Sequence, residues 1–324
     1  MKPLFTLFIL LITSCAFAQR QNVYFLKNDG KYVDSQDSAD YIRIVREPDS
    51  ASVLYNVLEF YKSGKRKLIG KSSTIDPPRF EGQCVGYFGN GKRKSSTFYK
   101  DGVETGTAFE FYPNGRTYQI TMYPDDTDEN NRYDVFKDNY LITANYDSLG
   151  NVQVENGNGY YKAYDIEFKY IYEEGAIKNG KKDGVWTGKL KSRGLTFNER
   201  YENGTLISGI GTFDDGSVIN YTKSRGIAPQ FKGGINAFYA YLSKYINYPD
   251  FERANNIQGK VIVCFVVEKD GKISEAKVTQ SVSERIDAEA LRVVKKTPPW
   301  IPGTSFGKPV RVKYNVPVSF SLSD

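Results

Sequence analysis

Between Asn56 and Tyr221 one short pattern keeps returning: an aromatic pair, a turn containing glycine, then a basic or polar strand. No other feature limits the fold as strongly. Copies stand at Glu59-Phe60-Tyr61-Lys62-Ser63-Gly64-Lys65, Tyr87-Phe88-Gly89-Asn90-Gly91-Lys92 and Glu110-Phe111-Tyr112-Pro113-Asn114-Gly115-Arg116. Further ones are Phe98-Tyr99-Lys100-Asp101-Gly102, Tyr201-Glu202-Asn203-Gly204 and Phe213-Asp214-Asp215-Gly216. Asn-Gly and Asp-Gly are strong hairpin signals, because a type I′ turn needs positive φ at both central residues. Turn glycines 91, 102 and 115 lie 11 and 13 residues apart. A register of about 23 to 25 residues thus holds two turns, the period of an array. Each hairpin is marginal alone, and stacked neighbours bury a shared aromatic stripe. The array is read over 56–222, after a less regular capping region at 19–55 in which Asp34 to Asp40 is polar and Tyr41 to Val45 strand-like. Asp125 to Asn139 is acidic, breaks the period, and reads as an inserted loop.

Composition agrees with this reading and closes several others. The 25 tyrosines and 29 glycines favour half-buried strands joined by tight turns. The absence of histidine removes Ser/His/Asp and Cys/His catalysis and imidazole metal sites. The acidic pairs Asp125-Asp126 and Asp214-Asp215 lie in turn-like sequence with nothing nearby to separate their pKa values, so they read as solvated turn residues. No enzyme, cofactor or metal is expected. The net charge of +6 is spread along the chain, with no basic run interleaved with aromatics of the kind a nucleic-acid groove needs. Of the cysteines outside the leader, Cys264 lies in an apolar strand, where a free thiol packs as a small hydrophobe, so a bridge to Cys84 is not expected.

The first residues read as an export signal. Leu4 to Ile12 is an apolar run behind Lys2, too short to span a bilayer and followed by Ala16-Phe17-Ala18, a complete small-x-small cleavage site. This makes 1–18 a signal peptide. A competing reading takes Ile12-Thr13-Ser14-Cys15 as a lipobox with Cys15 lipidated. No later stretch is apolar enough to cross a membrane. The chain is therefore expected in the periplasm, soluble or held at a membrane by a lipid or an uncleaved signal.

The pattern changes at Thr222-Lys223-Ser224-Arg225-Gly226, and a second domain is read over 227–324. Ile235 to Ile246 predicts a helix with Ile235, Phe238, Tyr239, Leu242 and Ile246 on its inner face. Lys260 to Val267 and Ile273 to Val282 predict strands joined at Lys269-Asp270-Gly271-Lys272. Arg285 to Lys296 predicts a second helix with Ile286, Ala290, Val293 and Val294 inward and Ser281 or Ser283 as cap, stopped by Thr297-Pro298-Pro299. A long strand over Pro309 to Leu322 ends the domain. The fold class is thus a mainly β hairpin array followed by an α+β domain, a small antiparallel sheet with two helices.

Two resemblances add to this. The array resembles MORN-like repeats of the YwqK type, most closely at Lys178-Asn179-Gly180-Lys181-Lys182-Asp183-Gly184-Val185-Trp186. Residues 229 to 322 resemble the carboxy-terminal domain of TonB proteins. The matching elements are Tyr248-Pro249, Gln258-Gly259-Lys260-Val261, Lys269-Asp270-Gly271-Lys272, Asp287-Ala288-Glu289-Ala290-Leu291, Trp300-Ile301-Pro302-Gly303 and Lys308-Pro309-Val310. The second resemblance implies a protein partner, an extended peptide of an outer-membrane receptor or other envelope protein, and an association with transmembrane transport. A last strand with an open edge accepts such a peptide by backbone hydrogen bonds, and Pro317 suits an edge because it cannot donate to a ladder. The expected docking edge is Arg311, Val312, Lys313, Tyr314, Asn315 and Val316, with Tyr248 nearby by analogy. Which of these amides face outward is left open by the sequence. The alternative is a structural envelope scaffold in which the array binds partners and the carboxy-terminal domain serves homodimerisation.

Overall fold

The computed structural model describes residues 20–124 and 140–322. The export segment with Cys15 and Ala18, and the 125–139 insertion with Asp125-Asp126, lie outside the described residues. The described chain forms two compact units, which divide between residues 155 and 156.

The first unit is an antiparallel meander in chain order: β1 (Gln21–Leu26), β2 (Tyr41–Arg46), β3 (Tyr55–Tyr61), β4 (Arg66–Ser72), β5 (Phe80–Tyr87), β6 (Arg93–Lys100), β7 (Val103–Phe111), β8 (Thr117–Tyr123), β9 (Leu141–Tyr146) and β10 (Val152–Glu155). Its turns are of two kinds. Asp101-Gly102 has positive φ at both residues, the expected type I′ geometry. At Gly64, Gly91 and Gly115 the glycine alone has positive φ, and its N–H returns to the carbonyl of Tyr61, Phe88 or Tyr112. These are longer turns closed by a left-handed glycine, and each sits beside a register shift at Glu59/Phe60, Gly86/Tyr87 or Glu110/Phe111. The Asn-Gly pairs at 90–91 and 114–115 therefore depart from the expected type I′ form, because the bulge supplies the twist instead.

The recurring tyrosine and asparagine have a mechanical reason. Tyr61 donates its hydroxyl to the carbonyl of Tyr87 at 2.7 Å, and Tyr112 to that of Tyr146 at 2.9 Å. Asn90 Nδ2 reaches the Pro113 carbonyl at 2.8 Å, and Asn114 Nδ2 the Ser148 carbonyl at 2.9 Å. Successive turns are thereby stitched together by side chains that donate to backbone carbonyls of the next turn. On one face of this unit Val45 and Val57 are buried. Buried there as well is Glu59, held by Arg43 Nη2 at 2.8 Å and Lys67 Nζ at 2.6 Å.

In the second unit β11 (Asn158–Tyr164), β12 (Ile171–Lys178), β13 (Lys181–Leu190), β14 (Leu195–Glu202), β15 (Thr205–Phe213) and β16 (Val218–Lys223) form another meander. Its Asn179-Gly180 and Asn203-Gly204 turns have positive φ at both residues, as type I′ requires. There follow β17 (Gly226–Ile227), α1 (Gly234–Tyr245), α2 (Asp250–Ala254), β18 (Gly259–Val267), β19 (Ile273–Gln280), α3 (Glu284–Lys295), β20 (Thr304–Ser305), β21 (Lys308–Pro309) and β22 (Val312–Phe320). Strands β17, β20 and β21 make a small sheet, and a second sheet runs β19-β18-β22.

One core unites the helices with the second sheet. Val261, Val263, Phe265 and Val267 alternate along β18 and meet Val316, Val318 and Phe320 of β22 and Ile286, Ala290, Val293 and Val294 of α3. The α3 face is the one its periodicity predicts, and Ser283 caps it by accepting from the Ile286 N–H. The α1 face differs from expectation. Phe238 and Leu242 are buried, but Ile235 is 47% and Tyr239 42% exposed. Phe231, upstream of α1, stacks on both Phe238 and Tyr241, which rotates the helix so that Tyr241 replaces Tyr239. Trp300 is the hub, with ring centroids 5.2 to 5.6 Å from those of Phe238, Phe265, Phe231 and Tyr314.

The segment 222–226 is packed. Arg225 bonds Glu199 through Nε at 2.9 Å and Nη2 at 2.5 Å, and Glu173 through Nη2 at 2.5 Å. Lys182 completes the set on Glu173 at 2.9 Å, and the hydroxyls of Tyr221 and Tyr201 donate to Glu199. Burial raises the Glu173 pKa, but Lys182 and Arg225 outweigh it and hold the carboxyl below its ordinary value. Beside this network Phe306 is buried against the rings of Phe197 and Tyr221, both at 5.5 Å. Asp215 lies in its turn as expected. Its pKa departs from expectation: a hydrogen bond from the Ser217 hydroxyl leads the causes that lower it to about 2. Both Cys84 and Cys264 are free and buried.

Candidate functional site

β18 is central in its sheet, so β19 and β22 are both edges. They are not equivalent. β19 is broken by two register shifts against β18, and Glu275 within it has φ of +52°. Bulges of this kind twist an edge away from further pairing. β22 pairs with β18 without interruption from Val312↔Val267 to Phe320↔Gly259.

The direction of each β22 amide follows from β18. The carbonyl of Ile262 accepts from Thr279 Oγ1 of β19 at 3.3 Å, so the backbone polar groups of Ile262 turn toward β19. Along a strand these groups alternate sides, so Val261, Val263, Phe265 and Val267 address β22. Their partners Val318, Val316, Tyr314 and Val312 turn inward, and Lys313, Asn315, Pro317 and Ser319 turn their backbone to the open edge. Pro317 supports this assignment independently. Opposite Ile262 it occupies an outward position, where a missing N–H costs no ladder bond.

The residues expected at the edge divide accordingly. Val316 is buried and Val312 and Tyr314 half-buried on the core side, with Tyr314 against Trp300. Lys313 and Asn315 are exposed on the helix-free face. Arg311 precedes β22 and is occupied: it pairs with Glu268 through Nε at 2.8 Å and with Glu275 through Nη2 at 2.6 Å. Glu268 is held below its ordinary pKa chiefly by the Arg311 hydrogen bond. Tyr248 is at the opposite end of β22 from Arg311. Its ring stacks on Phe320 at 5.7 Å, and its hydroxyl donates to the Ile257 carbonyl at 2.6 Å. Ser319, outside the expected Arg311 to Val316 edge, lies two positions beyond Pro317 on the same side. The parity set by Pro317 is the signal that finds it.

The Lys269-Asp270-Gly271-Lys272 turn and the Trp300 segment form one structure. Trp300 N–H donates to the Gly271 carbonyl at 2.8 Å, and a Cβ at Gly271 would collide with the Trp300 carbonyl oxygen. Among the described residues no cluster of His, Cys, Asp and Glu could hold a metal ion. No helix there is long and apolar enough to cross a membrane.

Fold and edge together define a small α+β domain with one regular, open strand. Residues 244–322 match the model of the family described as Gram-negative bacterial TonB protein C-terminal. The chain is also similar to two NMR solution structures of the Helicobacter pylori TonB C-terminal domain. One spans residues 179–285 of that protein, with 22% identity, a TM-score of 0.21, and coverage of 26% of this chain and 78% of that one. The other spans residues 194–285, with 23% identity, a TM-score of 0.23, and coverage of 28% and 95%. No curated protein matches the chain.

Proposed function

We propose that this is an exported, non-enzymatic protein of the cell envelope, placed in the periplasm and associated with transmembrane transport. It takes an extended segment of an outer-membrane receptor, or of another envelope protein, as an added strand on β22. The observation that carries this reading is the unbroken β22 register with Pro317 on its outward side. It rests also on the match of 244–322 to a family of protein-interaction domains. Affinity in this mode comes from main-chain bonds. The test is calorimetric titration of the full chain with peptides from receptor amino-terminal segments. Asn315→Pro removes an outward donor and should abolish binding while thermal unfolding is unchanged. Undiminished binding by the folded variant rejects β22 as the dock.

One observation favours a second reading, an envelope scaffold that works through the array. In the first unit Val23, Ile44, Leu58, Ile69, Val85, Ser96, Phe109, Ile120 and Ala144 form one cross-strand row over nine strands. Val23 and Phe109 of that row are exposed. A Leu58→Asp and Val85→Asp double variant that stays folded and loses an envelope partner would favour this role over strand addition.

A further inference from the structure

We propose that the segment taken by β22 alternates acidic and apolar residues, the acidic ones facing the helix-free side of the sheet. This deepens the strand-addition reading and rests on it. Three lysines stand on that side, one on each strand. Lys313 of β22 is opposite Val266, Lys260 of β18 is opposite Ser319, and Lys277 of β19 is opposite Cys264. All three are exposed, and none has an ion-pair partner among the described residues. The one carboxylate of β19, Glu275, is committed to Arg311.

Cys264, outside the helix-covered core and between Lys277 and Asn315 in the register, is 2% exposed, consistent with lysine stems lying across apolar neighbours with their ammonium groups in water. The opposite side of the edge is apolar, with Val312 and Tyr314 half-buried and Val316 buried. A strand added beside β22 sends successive side chains to opposite faces. Every second residue therefore meets the lysine side, led by Lys313, and those between meet Val312, Tyr314 and Val316. Cross-strand pairs of opposite charge favour binding and like pairs oppose it, each by about two- to fivefold. The whole effect is weakened by salt.

The test uses the full chain and three labelled ten-residue peptides that alternate valine with glutamate, glutamine or lysine, followed by fluorescence anisotropy at low and high salt. The glutamate peptide should bind about tenfold or more tightly than the lysine peptide at low salt, with the glutamine peptide between. Lys313→Glu should narrow or reverse that order, and Asn315→Pro should weaken all three. Equal binding of the three peptides, lost in Asn315→Pro, overturns the charge preference and leaves strand addition standing. Binding that survives Asn315→Pro but is lost in Lys313→Glu overturns strand addition, since the peptide then rides on lysine charge alone. Failure of all three to bind overturns both.

Discussion

Trp300 donates its backbone N–H to the carbonyl of Gly271 at 2.8 Å, which locks the β18–β19 turn onto the segment that follows α3. Gly271 has φ of +82° and no room for a Cβ. Gly271→Ala should therefore cost at least about 1–3 kcal/mol, from left-handed backbone strain with the collision added. Urea denaturation measures it. Gly30→Ala, at a similar φ with open space around it, is the control for strain alone and should cost less.

The buried acid network makes a directional pH prediction. Glu173 has its folded pKa depressed below its ordinary 4.5 by Lys182 and Arg225 against the opposing effect of burial. The stability it contributes is present above that value and is lost as pH falls through the lower folded pKa. Unfolding monitored from pH 6 to pH 2 should show this loss, and Glu173→Gln should flatten the acid limb. Arg225→Ala leaves Glu199 buried without its cation and should cost about 3–5 kcal/mol at neutral pH.

Phe306 separates two views of the carboxy-terminal domain. The core residues from Phe231 to Phe320 all lie within 227–324, so that fragment is predicted to fold cooperatively by itself. Phe306, however, packs on Phe197 and Tyr221 of the array. Phe306→Ala should cost the full chain about 3 kcal/mol and leave the fragment's melting temperature nearly unchanged. An equal loss in both would show that Phe306 acts inside the domain.

Much of this architecture was legible because its causes are local. Asp-Gly and Asn-Gly pairs mark their own turns, and α3 carries its buried face and its cap in consecutive residues. Other parts depend on distant partners. The α1 face is set by Phe231 and Trp300, which no periodicity within the helix reports. Glu173 and Arg225 are separated by 52 residues, and as sequence each is only a charged residue among many. α2 is five residues long, too short to carry a periodic signal. At the candidate site Pro317 announced an edge, but the occupation of Arg311 by Glu268 and Glu275 and the seat of Tyr248 on Phe320 are matters of tertiary packing.

Whether β22 offers an open edge to an extended partner can be read directly by amide hydrogen exchange, residue by residue, with NMR. In the free protein the amides of Lys313, Asn315 and Ser319 should exchange fast, and those of Tyr314, Val316 and Val318 slowly. Saturation with a binding receptor peptide should slow Lys313, Asn315 and Ser319 together and leave the inward amides as they were. Protection of those three before any peptide is added, or continued fast exchange at saturation, would mean that β22 is not an open, peptide-binding edge.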